Sequence, residues 1–216
     1  LTTGTTNVAI GGLALDANIS GISNVAIGYN SLGANTADYN TAIGRDALGA
    51  NTSGTRNVSV GYQCLDANTT ASDNTGVGYN TLSENTSGAA NTAFGTNALD
   101  SNTTGSNNVA VGCNALASAT TADTNTVVGH AAGFSLTTGY DNVAMGKDAL
   151  NAATTQYQNV AIGYEAFNAN IQNNNTAVGF QAAKANTTGQ VTAVGRRALF
   201  ANTTGTQNTA LGYGAG

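Results

Sequence analysis

The sequence predicts an all-β fold, a parallel β-solenoid of the β-roll or β-helix type with about thirteen coils of 16–17 residues. Three observations predict it. A glycine recurs at nearly constant spacing, apolar residues alternate directly before it, and the composition is polar but poor in charge, with 8% charged residues, no proline and 28 glycines in 216 residues. A short, stable period is the signature of a solenoid. We expect residues 1–216 to form one continuous repeat array that is a segment of a longer protein.

The period is set by the glycine that ends each apolar run. Nine of the twelve spacings between these glycines are 17 residues and three are 16. The shorter repeats lose a residue in the polar stretch before the next run, where a loop tolerates deletions. The anchor glycines are Gly11, Gly28, Gly44, Gly61, Gly78, Gly95, Gly112, Gly129, Gly146, Gly163, Gly179, Gly195 and Gly212.

Two apolar columns flank the glycine. The residue before it is always apolar, and the residue two positions earlier is Val or Thr in every repeat. This period-two alternation is typical of a strand with one buried face. Leu recurs four residues after the glycine. We therefore predict a core built from both columns, represented by Ile10, Ile27, Ile43, Val60, Leu15, Leu32, Leu48 and Leu65.

Three single residues bear on this core. Cys64 stands where other repeats have Ala, Ser or Thr, so we expect a small packed side chain. Three coils separate it from Cys113, about 14 Å at 4.8 Å per coil, which is too far for a disulfide within the chain. Gly133 replaces the core Leu of its repeat, which indicates either a packing variant in which Phe134 fills the space from one position along or a bend in the rod.

Asparagine opens the strand in twelve of thirteen repeats. Identical amides in a parallel stack hydrogen-bond to the copies above and below, forming ladders. We interpret this column as such a ladder rather than as metal or sugar ligands. Its first members are Asn7, Asn24, Asn40, Asn57, Asn74 and Asn91, and a second Asn column follows the glycine by seven residues.

The residue between the two apolar strand positions is Ala in ten of thirteen repeats. If its neighbours are buried, it faces outward, where a solvated face normally carries charged or polar residues. We therefore predict a homo-oligomer packed through this stripe. The interface residues are Ala9, Ala26, Ala42, Ala93, Ala110, Ala144 and Ala161. The alternative is that Ala merely fits a tight coil.

The position directly after the glycine is rich in aromatic residues. Such residues stack on sugars and on each other and are enriched at recognition surfaces. The column suggests either a contact surface for a cell-surface glycan or receptor, or aromatic rings that stack and cover the strand corner. The aromatic members are Tyr29, Tyr62, Tyr79, Tyr164, Phe180 and Tyr213.

Composition argues against several functions. The net charge is −5 and the bases are scattered, so we expect no nucleic-acid partner. No apolar run approaches the 18–20 or so residues that span a bilayer, so we expect no membrane insertion. His130 is the only histidine and the acids occur singly. We therefore expect no enzyme, no catalytic or metal site and no cofactor.

The unit Asn-Thr-Ala-Ile-Gly-x-x-Ala-Leu at 40–48 resembles two kinds of repeat. One is the head repeat of YadA-type trimeric autotransporter adhesins. The other is a repeat of phage tail-fibre-like proteins, which also resembles the Asn-Thr-Thr-Gly connector at 102–105 and 202–205. The resemblance covers nearly the whole chain. It implies a homotrimeric, extracellular fibre or adhesin.

We therefore expect a structural shaft or adhesin segment of an extracellular fibre, foremost a phage tail fibre in a virion, that positions a host- or surface-recognition tip. A bacterial trimeric surface adhesin or surface filament is the main alternative. An ice-binding solenoid is a lesser one, suggested by the Thr column that includes Thr36, Thr52 and Thr69. A tail-fibre depolymerase ranks third, since it needs clustered acids that the columns do not supply.

Overall fold

The computed structural model describes residues 3–216 and shows the predicted all-β solenoid. Each repeat contributes one short strand, and the anchor glycine follows directly after it. The thirteen strands, β1 to β13 in chain order, are Val8–Ile10, Val25–Ile27, Thr41–Ile43, Val58–Val60, Thr75–Val77, Thr92–Phe94, Val109–Val111, Thr126–Val128, Val143–Met145, Val160–Ile162, Thr176–Val178, Val191–Val194 and Asn208–Leu211.

All thirteen strands form one parallel sheet in the order of the chain. Equivalent residues pair between successive coils, so that Val58 lies beside Thr75 and Val60 beside Val77. The thirteen strands bound twelve full turns, which stack to about 58 Å at 4.8 Å per coil. Every column recognised in the sequence is therefore a straight row along one rod.

Only one of the two predicted core columns is buried. Leu15, Leu32, Leu48 and Leu65 are buried, which confirms the Leu column. The prediction for the other column is wrong, because Ile10 is 59% exposed and Ile43 38% exposed, and Ile27 and Val60 are only partly buried.

The buried strand residue is the alanine between them, so the predicted Ala interface is also wrong. Ala26, Ala42, Ala93, Ala110, Ala144 and Ala161 are fully buried, and only Ala9, in the outermost strand, is exposed. Alternation identifies which side chains share a face, but it does not say which face is inside. Two rows of Ala and one of Leu fill the interior of this narrow coil, which has no room for Ile at the strand.

Two of the three exceptions to the Ala column, Gly76 and Val127, are matched by changes beside them. A Cβ added to Gly76 would lie 2.6 Å from Cys64 Sγ, so the larger Cys64 is accommodated by the smaller Gly76. At Gly133, an added Cβ would lie 3.5 Å from Val127 Cγ2. Val127 therefore fills the space left by the missing Leu, and the expectation for Phe134 is wrong, since that ring is 39% exposed. Close packing makes such compensation necessary.

The Cys64–Gly76 pair gives a direct test of this packing. Gly76→Ala alone is expected to lower the free energy of unfolding by about 1–3 kcal/mol, because the new methyl overlaps the thiol. The double variant Cys64→Ala/Gly76→Ala has the Ala–Ala pair of most other coils and should recover to within about 1 kcal/mol of the wild type. Urea unfolding followed by circular dichroism measures both, with Cys64→Ala as the control. Equal losses in the single Gly76→Ala variant and the double variant would show that the two sites are not coupled.

Candidate interaction surface

The outward side of the thirteen-stranded sheet is a continuous apolar surface, which we call the apolar face. It consists of the last residue of each strand and the residue two positions before it, Val or Thr in one row and Ile, Val, Phe, Met or Leu in the other. Val8, Val58, Phe94, Val111 and Met145 are among the large apolar residues that are 36–43% exposed. The two rows lie about 7 Å apart, two residues along a strand. An exposed apolar patch of this extent is typical of an interaction site.

The strand-opening asparagines form a ladder, as predicted. Direct amide-to-amide bonds occur in part of the stack, as from Asn57 Nδ2 to Asn40 Oδ1 at 3.1 Å, and bonds from the main chain to the amide continue the ladder elsewhere. The Asn24 backbone N–H donates to Asn7 Oδ1 at 2.8 Å, and the same bond recurs from Asn91 to Asn74 Oδ1. Most of the Nδ2 groups also donate across their own coil, as from Asn74 to the Gly88 carbonyl at 2.9 Å. Asn24, Asn40, Asn57, Asn74 and Asn91 are fully buried, so these amides hold the coil closed rather than bind a ligand.

The second Asn column is a direct amide-to-amide ladder. Asn68 Nδ2 donates to Asn51 Oδ1 at 2.9 Å, and Asn102 Nδ2 to Asn85 Oδ1 at 2.7 Å. The next coil has Ala119 at this position, and Asn102 Oδ1 is left buried without a hydrogen bond. The unsatisfied oxygen therefore marks a ladder end, not a binding site.

The aromatic column lies beside the apolar face and is exposed, with Tyr29, Tyr62, Tyr79, Tyr164, Phe180 and Tyr213 between 37% and 74% exposed. Its rings stack on one another along the rod. Tyr62 and Tyr79 lie 5.6 Å apart at 9°, and Tyr164 and Phe180 lie 5.2 Å apart at 15°. Arg45 and Arg196 cover further ring faces. Sugars stack on ring faces, and here many of those faces are already occupied, so the column favours the structural interpretation.

The threonine column is also engaged within the fold. Thr36 Oγ1 donates to the Thr52 carbonyl at 2.8 Å, and Thr52 Oγ1 to the Thr69 carbonyl at 3.0 Å. The same bond continues up the stack to the Thr154 carbonyl. The hydroxyl protons that an ice surface would use are therefore directed into the rod, which argues against this column as an ice-binding array.

A shallow cleft that contains two acidic side chains has no catalytic arrangement. It has a volume of about 350 Å³ and is lined by Gln63, Asp66, Asn80, Ser83 and Glu84, among others. Burial raises the pKa of Asp66, and repulsion from Asp46 and Asp100 adds to this. Among residues 3–216 no group of three His, Cys, Asp or Glu residues is placed to hold a metal ion.

Two further observations concern the class of protein. The described part of the chain contains no helix long and apolar enough to cross a membrane. No protein-family model matches the chain, and no curated protein matches it significantly. The fold therefore defines the class as a parallel β-solenoid repeat protein, and the apolar face is its main candidate functional surface.

The sequence predicted the positions of the surface columns but missed the apolar face. The signal that identifies it is the size of the residues in each row. The inner row is Ala in ten coils, whereas the outward row before the glycine includes Val, Ile, Phe, Met and Leu. A row packed inside a narrow coil accepts one size, and a row facing outward accepts many.

Proposed function

We propose that this solenoid is a structural shaft or adhesin segment of an extracellular fibre, foremost a phage tail fibre, that self-associates through its apolar face and positions a recognition tip. The observation that carries the proposal is the apolar face itself. It runs the full length of a rod whose two Asn columns and Thr column bond to neighbouring coils and whose aromatic column stacks on itself. A shaft needs length and a partner for this face, and it needs no catalytic site.

A second copy of the chain is the partner that the dimensions favour. The face is about 58 Å long and roughly 12 Å wide when side chains are included, so each copy offers about 700 Å². Stable protein interfaces bury about 800 Å² per partner. A second copy also has the same 4.8 Å spacing between coils, so the side chains of one face can fit between those of the other along the whole rod.

Self-association is tested by placing charges on the apolar face. Light scattering with size exclusion should show a homo-oligomer for the wild type, with three copies if the resemblance to trimeric adhesins extends to assembly. The triple variant Ile43→Lys/Val77→Lys/Val111→Lys should be monomeric, because burying unpaired ammonium groups in the interface is strongly unfavourable.

The matched control carries the same three charges on an exposed hydroxyl column, as Thr70→Lys/Thr104→Lys/Thr138→Lys. It should keep the oligomer. A monomeric wild type, or loss of the oligomer in the control as well, contradicts the proposed role of the face.

The location is tested by imaging. Antibodies raised against the purified segment and detected with gold should label a slender fibre on virions if the tail-fibre proposal is right. Labelling of bacterial cells alone would favour the surface adhesin or filament instead.

A further inference from the structure

We infer that the copies associate parallel and in axial register, with one edge of each apolar face set against the opposite edge of the next copy. This inference rests on the proposed self-association and specifies its geometry. It comes from the charges along the two edges of the face.

The two edges differ in charge. The residue directly after each anchor glycine forms one edge, and its charged or basic members are Arg45, His130, Lys147 and Arg196; we call this the basic rim. The turn residues five and six positions before the glycine form the other edge. Its acids are Asp38, Asp73, Asp123 and Asp141, the acidic rim, with Arg56 as the one described base. Asp73 is already paired with that Arg56 at 2.6 Å.

The remaining acids stand at the same heights as bases on the opposite rim. Asp38 and Arg45 flank β3, Asp123 and His130 flank β8, and Asp141 and Lys147 flank β9. Each pair belongs to one strand, but its members lie at opposite edges of the face. They can meet only between copies.

The side chains of these pairs have bonding capacity left. Arg45 and Lys147 pair with the neighbouring Asp46 and Asp148 at 3.1 and 3.7 Å, and their side chains are 62% and 54% exposed. Each also lies over a tyrosine ring of the same rim, a contact that leaves N–H groups free to donate to a carboxylate. In each acid only Oδ1 bonds within the described chain. Asp38 Oδ1 accepts from the Ile22 N–H, Asp123 Oδ1 from the Ser106 N–H and Asp141 Oδ1 from the Thr124 hydroxyl. Oδ2 of all three remains available to a base from another copy.

Geometry then selects one orientation. Rotating a copy about an axis along the rod sets basic rim against acidic rim at equal height, and all three pairs form. Rotating it about an axis across the rod sets basic rim against basic rim. A slip of one coil in either direction keeps one pair of three, and in one direction it sets Arg45 against Arg56. Charges at the edge of an interface fix register and orientation more than affinity.

Cys113 allows a test, because it is exposed and lies on the basic rim at β7. Asn107 is the exposed residue on the acidic rim of the same coil, and Gln158 is its equivalent three coils away, about 14 Å along the rod. Asn107→Cys and Gln158→Cys are treated with a bismaleimide of shorter reach than this. Burial raises the pKa of the Cys64 thiol to about 11, so Cys64 stays unreactive at neutral pH.

In the parallel, in-register assembly, Asn107→Cys should cross-link to Cys113 of the next copy and give a covalent oligomer of the full copy number, at least tenfold more than Gln158→Cys. Wild-type protein should give little cross-linking.

Efficient Cys113–Cys113 dimers in the wild type would show an antiparallel arrangement, because β7 is the central strand. Equal yields for the two variants, or none in either, also overturn the inference. Light scattering on the same samples separates the cases, since a monomer refutes self-association and an oligomer with the wrong cross-links refutes only the register.

Discussion

Gly112→Ala is expected to destabilise the solenoid by about 2–6 kcal/mol, because backbone strain and overlap with the next coil add to one another. Gly112 has φ +133°, a backbone region that only glycine occupies without strain, which costs other residues about 1–3 kcal/mol. An added Cβ would also lie 2.6 Å from the Gly129 carbonyl oxygen and 2.7 Å from its carbon. Both obstacles are backbone atoms of the next coil, so relief requires the coils to separate, and overpacking of this kind costs about 1–3 kcal/mol more.

The matched control is Gly12→Ala. Gly12 directly follows an anchor glycine, has no positive φ, and its added Cβ would lie 3.5 Å from Tyr29 Cδ2, an ordinary contact. Its effect should stay within about 0.5 kcal/mol. Thermal and urea unfolding, followed by circular dichroism, measure the free energy of unfolding of the two variants. A Gly112→Ala protein as stable as Gly12→Ala would mean that the stacked glycines tolerate a wider spacing than the structure has.

The periodic features of the fold could be predicted from the sequence because each arises from a residue type that recurs at the same position of the repeat. The spacing of the glycines predicts the coil, the alternation predicts the strand, and the Asn rows predict ladders. Gly112 illustrates why this succeeds, since its requirement arises from the coil above it and is repeated at every turn. A rule that holds thirteen times is visible without an alignment.

The inside and outside of the strand could not be predicted by the same reasoning. Ala26 and Ile27 are adjacent, and hydrophobicity alone places Ile27 in the core. The structure places Ala26 there, because the interior width is set by Leu32 and the second Ala row, and that width is a property of the closed coil. The role of Val127 beside Gly133 has the same origin, since it depends on a contact across the coil. Alternation therefore predicts an interface on the Ala row, whereas the rows on either side of that row form the apolar face.

Asn74→Ala is expected to lower the free energy of unfolding by about 2–4 kcal/mol, because one buried amide bonds to the main chain of two coils. Asn74 Oδ1 accepts from the Asn91 backbone N–H at 2.9 Å, and its Nδ2 donates to the Gly88 carbonyl at 2.9 Å. Alanine leaves the Asn91 N–H buried without an acceptor, which costs about 1–3 kcal/mol. It also removes one hydrogen bond to the Gly88 carbonyl, worth about 0.5–1.5 kcal/mol, although that carbonyl still accepts from Asn85 Nδ2 at 3.0 Å. The role is chiefly that of an acceptor for the next main-chain N–H. Val191 supports this interpretation. Its backbone N–H donates to Asn175 Oδ1 at 2.6 Å, although its own side chain has no oxygen to accept a bond from the following coil.

The control for Asn74→Ala is Asn107→Gly, which removes an exposed amide whose side chain makes no hydrogen bond within residues 3–216. Asn107 has φ 59°, which glycine adopts readily, so its loss should change stability by less than about 1 kcal/mol. Urea unfolding compares the two, and hydrogen exchange at the Asn91 amide adds a local readout. That amide should lose protection in Asn74→Ala and keep it in Asn107→Gly, because only the former removes its acceptor. Unchanged protection at Asn91 in both variants would mean that coil stacking depends on the strand pairs alone and not on the buried amides.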